Sequence, residues 1–158
     1  MNFELPEYKD RLKLNISKAD LLSDDIKEKL YKYIDKLAND NILFHGDFHP
    51  DNLLIMKDKA VIIDCMTAAK GNPLADVART SVMLKFGDIP RKSNIEKILI
   101  NFFRKKLYLE YINISKVNIN QIRQWELPIA AARLIEWLPE SEKRNLLNFV
   151  TSELDKLY

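Results

Sequence analysis

The sequence predicts a mostly α-helical domain with one small β-hairpin near its middle. Apolar residues recur at helical spacing over most of the 158 residues. The exception is a pair of short apolar runs, Leu53–Met56 and Ala60–Ile63, on either side of a polar turn of hairpin length. Hydrophobic residues make up 47% of the chain and charged residues 30%, as in a globular protein with a substantial core. We therefore predict a single domain over residues 1–158.

The segment before the hairpin is predicted to be a helical lead-in with a linker, over residues 1–41. Ser23 is a suitable N-cap for a helix over 24–38, and two aspartates directly after it favour the positive end of the helix dipole. A short apolar run, Ile42–Phe44, follows the linker and leads into a polar segment.

The segment after the hairpin is predicted to be helical. Ser93 and Glu96 match a capping box, which marks the start of one helix. Pro128 lies inside a longer helical pattern, where it predicts a kink or a split. The predicted helices cover 73–86, 93–111, 118–138 and 141–157, with a break in the chain at 87–90.

Charge and composition exclude several classes of protein. The net charge is +2 with both signs spread along the chain, which argues against a nucleic-acid-binding surface. No run approaches the roughly 18 apolar residues that a membrane span needs, and the N-terminus lacks the apolar core of a signal peptide. The single cysteine, Cys65, rules out an internal disulfide. We expect a cytoplasmic protein with no membrane or nucleic-acid partner.

The polar segment from His45 to Asn52 carries residues that suit phosphoryl transfer. This reaction needs a carboxylate to orient a hydroxyl and hard oxygen ligands for Mg²⁺. Asp47 and Asn52 have the five-residue separation found in the kinase catalytic loop, and Asp64 stands at the end of the hairpin. Because a hairpin returns the chain to its starting point, Asp64 can face Asn52 across one metal site.

Three stretches of this sequence resemble the aminoglycoside phosphotransferase/choline kinase family, which shares the protein-kinase-like fold. They are LFHGDFHPDN at 43–52, VIID at 61–64 and GNPLADVA at 71–78. The resemblance implies a phosphotransferase that uses ATP or GTP with Mg²⁺ and phosphorylates a hydroxyl of a small molecule. It is strongest from about residue 42 to residue 80.

The resemblance also implies roles for individual residues. Asp47 would be the catalytic base, and Asn52 and Asp64 would be the Mg²⁺ ligands and so contact the nucleotide phosphates. His45 would brace the catalytic loop and Asp76 would anchor it. A separate histidine, His49, is interpreted as a packed residue that supports the loop.

The fold implied by the resemblance is the C-terminal lobe of a protein-kinase-like domain. Residues 42–80 would hold the catalytic loop, the hairpin and the metal-binding aspartate, and residues 81–158 would form a helical subdomain. The family's N-terminal β-lobe is expected to be missing, because no glycine and no β-rich segment precede the run at 42–44. We therefore expect weak or no activity from this lobe alone, and a separate N-terminal lobe or a second copy as a partner. The alternative is a non-catalytic remnant that binds a protein or dimerises.

Several residues allow other interpretations. His45, Asp47, His49 and Asp51 alternate, which is a pattern that a metallohydrolase could use. Cys65 is expected to be a small buried side chain rather than a nucleophile, and Trp125 and Trp137 are expected to pack in the core. A cationic substrate could be attracted by four glutamates, for which surface exposure is the commoner explanation. They are Glu126, Glu136, Glu140 and Glu142.

Overall fold

The computed structural model describes residues 5–88 and 93–157. Residues 1–4 of the predicted lead-in and residues 89–90 of the predicted break at 87–90 lie outside these ranges. The chain is mostly helical with small antiparallel strand pairs, which confirms the predicted class. The helices of the described part are α1 (Tyr8–Ser17), α2 (Asp24–Lys36), α3 (Leu74–Phe86), α4 (Asn94–Ser115), α5 (Ile119–Ala132) and α6 (Glu140–Asp155). The strands there are β1 (Ile42–Phe44), β2 (Leu53–Met56), β3 (Lys59–Ile62) and β4 (Ala69–Gly71).

The predicted hairpin is formed by β2 and β3. Its register pairs Leu53 with Ile62 and Met56 with Lys59, so the turn consists of two residues rather than the three predicted. Lys57 opens this turn with a positive φ of 54°, which tight two-residue hairpin turns require.

A second strand pair was not predicted from the sequence. β1 pairs antiparallel with β4, so that Ile42 lies opposite Gly71 and Phe44 lies opposite Ala69. The residues of β4 carry no alternating apolar pattern, which explains why the strand was missed. The pair holds the two ends of the catalytic segment together, because His45 follows β1 directly and α3 begins shortly after β4.

The core is built around α5, which packs against α1, α3 and α6. Its residues from Leu127 to Ala132 are buried almost continuously, and three consecutive alanines allow neighbouring helices to approach closely. Trp125 is buried in this core as predicted, at 2% exposure. The prediction for Trp137 was wrong, since its side chain lies after the end of α5 and is fully exposed.

Pro128 lies inside α5 without splitting it. A proline at this position cannot donate to the carbonyl of Gln124, four residues earlier. The Tyr33 hydroxyl of α2 donates to that carbonyl instead, at 3.0 Å. The helix predicted to reach residue 138 ends at Ala132, where a short 3₁₀ turn, Arg133–Ile135, takes over.

The capping signals predicted at two helix starts are present. Ser23 Oγ accepts from the backbone N–H of Ile26, and α2 ends at Lys36, two residues before the predicted end. At α4, Ser93 Oγ accepts from the Glu96 N–H while the Glu96 carboxylate accepts from the Ser93 N–H. α4 continues four residues past its predicted end. None of the helices in the two described ranges combines the length and apolar character needed to cross a membrane.

Candidate active site

The loop after β1 is anchored from behind by Asp76, in the first turn of α3. One carboxylate oxygen of Asp76 accepts from the His45 N–H at 3.2 Å, and the other accepts from the Gly46 N–H at 2.8 Å. Burial raises the pKa of Asp76, while these two N–H donors and the charge of Arg79 oppose that rise. Thr67 Oγ1 adds a third contact by donating to the His45 carbonyl at 3.1 Å.

Gly46 occupies the tightest point of this loop. Its φ of +77° lies in the left-handed region, which residues with a Cβ rarely adopt. A Cβ at this position would lie 2.3 Å from the Thr67 carbonyl oxygen and 2.9 Å from Arg11 Nη2. The loop therefore needs glycine here for both conformation and space.

His45 ties the loop to the end of the hairpin. Its Nε2 lies 2.9 Å from the Ile63 carbonyl and donates to it, and its Nδ1 accepts from the Asp47 N–H at 3.2 Å. These two contacts fix the neutral tautomer that carries its proton on Nε2. Since both ring nitrogens are engaged, His45 cannot act as a metal ligand in this arrangement.

The Asp47 carboxylate lies at the surface of the loop with its side chain 25% exposed. Arg79 of α3 donates to its Oδ1 through Nη2 at 3.0 Å and Nε at 3.3 Å. His49 Nε2 lies 3.5 Å from its Oδ2. The carboxylate is therefore oriented through Oδ1 by a guanidinium, has His49 beside Oδ2, and keeps part of its surface exposed.

Arg79 was not identified from the sequence, yet it is the side chain that holds Asp47. It joins a chain of alternating charges, since its Nη1 also donates to Glu136 at 2.8 Å and Glu136 accepts from Arg133 at 2.9 Å. Burial by itself would lower the pKa of Arg79, but the charge of Glu136, with smaller effects from Tyr8 and Asp47, raises it above its ordinary value. The available sequence signal was the single arginine of α3, one turn after Asp76.

Asn52 links the catalytic loop to the hairpin. Its side chain is buried, and Nδ2 donates to the Asp47 carbonyl at 2.9 Å and lies 3.1 Å from His49 Nε2. Its own backbone carbonyl accepts from the Ile63 N–H at 3.0 Å, so the residue after Ile63 comes next to Asn52. That residue is the exposed Asp64, which has a positive φ of 60°. Such strained backbone in a residue other than glycine is common at functional sites.

The predicted metal ligands offer oxygens that suit Mg²⁺. Asn52 keeps its side-chain oxygen, since its nitrogen is used within the loop, and Asp64 offers a carboxylate. Mg²⁺ is commonly bound through one or two protein ligands together with substrate phosphates and waters, so this pair fits the ion. Within residues 5–88 and 93–157, no three His, Cys, Asp or Glu side chains form a metal-binding group. That finding, together with the occupied His45 ring, argues against the metallohydrolase interpretation.

Two further expectations about side chains near the site were wrong. Cys65 is exposed rather than buried, because it begins the short 3₁₀ turn that follows Asp64. Glu126 and Glu142 are not surface residues, with exposures of 2% and 3%. Their carboxylates face cations from neighbouring helices, which allows them to be buried. Only Glu140 of the four glutamates is exposed, at the start of α6.

Comparison with known proteins places these features in a family. The sequence model of the phosphotransferase enzyme family matches residues 2–98, which is more than half of the chain. The match includes the loop at 45–52, the hairpin, Asp64 and all of α3. Neither the curated proteins nor the solved structures contained a match. The family match confirms the resemblance seen in the sequence: this chain belongs to the phosphotransferase enzyme family.

Proposed function

We propose that this protein transfers the γ-phosphoryl group of ATP or GTP to a hydroxyl of a small molecule, in a reaction that requires Mg²⁺. The observation that carries the proposal is the position of Asp47. Its carboxylate is partly exposed and is oriented by Arg79, on a loop that Asp76 anchors. Phosphoryl transfer is catalysed mainly by positioning and electrostatics, and both depend on a rigid loop.

The residues of the site have separate roles in this proposal. Asp47 orients the acceptor hydroxyl and takes its proton as the phosphoryl group arrives. Asn52 and Asp64 hold Mg²⁺, which neutralises charge on the phosphate oxygens. His45 and Asp76 keep the loop in place, and His49 supports Asp47 and Asn52 from within it.

The nucleotide side of the site is open in the part of the chain that the structure describes. Ile55 and Met56 of the hairpin are exposed at 72% and 65%. Transfer is most efficient where water is excluded, so we expect slow turnover from residues 1–158 alone. We also propose a cytoplasmic location and three functional regions, residues 1–41, 42–80 and 81–158.

Replacement of Asp47 tests the proposal directly. Asp47→Asn keeps the size of the side chain but removes the base, so the rate of ATP-dependent transfer to alcohols should fall by roughly 10²–10⁴-fold. Asp51→Asn is the matched control, because Asp51 lies on the same loop with its side chain 95% exposed. Radiolabelled ATP and a panel of alcohols, with and without Mg²⁺, provide the measurement. Equal rates for the wild-type and Asp47→Asn proteins would refute the role of Asp47.

A second candidate function is a binding or dimerising module without turnover. The specific observation in its favour is the exposed apolar surface of the hairpin and of α4, where Phe102 and Phe103 are each 64% exposed. Large exposed apolar patches usually mark interaction sites. Nucleotide binding that depends on Mg²⁺ favours the first candidate, and self-association without nucleotide binding favours the second.

A further inference from the structure

A cavity of about 170 Å³ lies beside the catalytic loop, between the loop, α3 and α4. The loop contributes Phe48 and His49, α3 contributes Leu84, and α4 contributes Leu107 and Tyr111. Apolar cavities of about 150 Å³ hold a ligand the size of benzene. This cavity is therefore large enough for one ring or one branched alkyl group.

The cavity adjoins the proposed catalytic carboxylate through His49. The imidazole is part of the cavity wall, and its Nε2 lies 3.5 Å from Asp47 Oδ2. Asp47 is not itself part of the wall, so an acceptor seated against His49 has to extend past the imidazole to bring its hydroxyl to the Asp47 carboxylate.

The walls of the cavity offer few free polar groups. Thr80 contributes to the lining, but its hydroxyl already donates to the Phe48 carbonyl at 2.6 Å. Burial raises the pKa of Tyr111, so its phenol stays neutral at physiological pH. The surface presented to a ligand is mainly the carbon of leucine and aromatic side chains.

Three of the four glutamates that could have attracted a cationic acceptor are already paired, and the fourth, Glu140, lies exposed at the start of α6. Both oxygens of Glu126 accept from Lys85, at 2.6 and 2.7 Å. Glu136 accepts from Arg79, and Glu142 lies 3.0 Å from a guanidinium nitrogen of Arg133. A cation that approached these carboxylates would have to displace a buried partner, which is costly.

We infer that the cavity lined by Phe48, His49, Leu84, Leu107 and Tyr111 takes an apolar group of the acceptor alcohol, an aryl ring or a branched alkyl chain. This inference rests on the proposed function, and it specifies the class of acceptor. The hydroxyl of such an alcohol faces Asp47 while its apolar part displaces water from the cavity. A small neutral alcohol fits the site better than a polycationic sugar.

Binding of benzyl alcohol tests the cavity without relying on turnover. In protein labelled at its leucine methyl groups, benzyl alcohol should shift the NMR signals of Leu84 and Leu107 in a saturable manner. The cationic 2-aminoethanol should leave both signals in place. Methyl signals that do not respond to benzyl alcohol would overturn the inference.

A cavity-filling variant adds a matched comparison. Leu107→Trp should weaken benzyl alcohol binding by about tenfold or more, because the indole occupies the cavity. Leu109→Trp is the control, since Leu109 lies on the same helix, is 57% exposed and does not line the cavity. Circular dichroism establishes that both variants fold. Equal binding by the two variants would contradict the assignment of the cavity.

The experiments distinguish a loss of phosphoryl transfer from a loss of alcohol binding in the cavity. Benzyl alcohol binding by the Asp47→Asn protein reports on the cavity alone, so intact binding supports the cavity even if no alcohol is phosphorylated. Loss of transfer to every alcohol would then count only against the proposed function. Preferential phosphorylation of 2-aminoethanol over benzyl alcohol would overturn the acceptor class and leave the proposed function standing.

Discussion

At the scale of single residues, Arg79 determines how the Asp47 carboxylate is presented. It is the common partner of Asp47 and Glu136, which come from distant parts of the chain. Neutralising a buried cation between two carboxylates leaves uncompensated charge in a poorly solvated place. Loss of Arg79 would therefore leave the carboxylates of Asp47 and Glu136 without their shared cation, which is why Arg79 matters for stability.

Replacement of Arg79 should affect both stability and transfer. We expect Arg79→Met to lower the free energy of unfolding by about 3 kcal/mol and to reduce turnover, because Asp47 loses its orienting partner. Urea unfolding and the transfer assay provide the two measurements. Arg123→Met is the control, since Arg123 is exposed on α5 and should change stability by about 0.5 kcal/mol at most. If Arg79→Met and Arg123→Met lowered the free energy of unfolding by the same small amount, the Arg79 contacts would contribute little to stability.

Tyr8 gives the folded protein a specific sensitivity to alkaline pH. Burial raises the pKa of Tyr8 from 10.0 to about 12, despite opposing charges from Arg79 and Arg11. Because the folded state holds this proton to higher pH than the unfolded chain does, the free energy of unfolding should fall as pH rises from 10 to 12. The expected loss from this residue is about 3 kcal/mol.

The Tyr8→Phe variant should lack this part of the pH dependence. Its ring can still pack edge-on against Phe44, whose centroid lies 4.9 Å away. The comparison requires chemical unfolding of both proteins at several pH values between 9 and 12, a range chosen to bracket the two pKa values. If the free energy of unfolding changed with pH in the same way for the wild type and the variant, Tyr8 would ionise equally easily in the folded and unfolded states.

At the scale of elements, α5 remains one helix because another helix compensates for Pro128. The Tyr33 hydroxyl of α2 supplies the hydrogen bond that the proline cannot donate to Gln124. This contact also joins two helices that are distant in sequence. A kink or a split was a reasonable prediction, since a sequence pattern does not show a donor that arrives from elsewhere.

Tyr33→Phe should therefore lower stability by about 1 kcal/mol, the usual net contribution of one hydrogen bond. Thermal or urea unfolding measures the effect, and Tyr31→Phe on the same helix serves as the matched control. A double variant in which Pro128 is also replaced by Ala should lose less from the tyrosine change, because Gln124 regains an N–H donor. Equal losses in the two backgrounds would show that the contact does not depend on the proline.

The elements that the sequence predicted were those with strong local signals. The Ser23 N-cap, the capping box at Ser93, the hairpin and the helix over 73–86 each depend on residues close together in the chain. β4 was missed because Ala69, Lys70 and Gly71 become a strand only by pairing with β1. The end of α5 was misplaced, because a 3₁₀ turn follows Ala132 and places Glu136 against Arg79 of α3, a tertiary contact that no local pattern shows.

The same distinction, between local sequence signals and contacts made only by tertiary packing, applies to the candidate site. Asp47, Asn52 and Asp64 could be proposed from their spacing, since one loop and one hairpin bring them together, whereas the role of His45 was implied by the family resemblance. Arg79 and the burial of Glu126 could not be proposed, because a charged residue in a helical pattern is normally solvated. Only the tertiary packing of α3 shows that Arg79 meets Glu136 and that Lys85 meets Glu126.

At the scale of the whole molecule, the described part of the chain leaves two apolar surfaces uncovered. One is the hairpin, with Ile55 and Met56 exposed, and the other is the face of α4 that carries Phe102 and Phe103. Monomeric proteins rarely expose apolar patches of this kind without a partner. We therefore expect the chain to self-associate in a concentration-dependent manner.

Light scattering coupled to gel filtration can detect this association. Phe102→Lys combined with Phe103→Lys should shift the chain towards monomer, because two charges replace the apolar face. Leu14→Lys is the control, since Leu14 is 54% exposed but lies on α1, away from both surfaces. A monomer over the whole concentration range for the unmodified chain would contradict the expectation.

The pairing of β1 with β4 also bears on how the site is assembled during folding. It closes the segment from 45 to 68, so that Asp47, Asn52 and Asp64 lie within one loop of modest length. Closing a loop of this size costs much less conformational entropy than joining distant parts of a chain. Contacts between residues close in sequence also form early in folding. The carboxylate and the proposed metal ligands should therefore come together as a local folding unit, and Arg79 should complete it when α3 docks on α5.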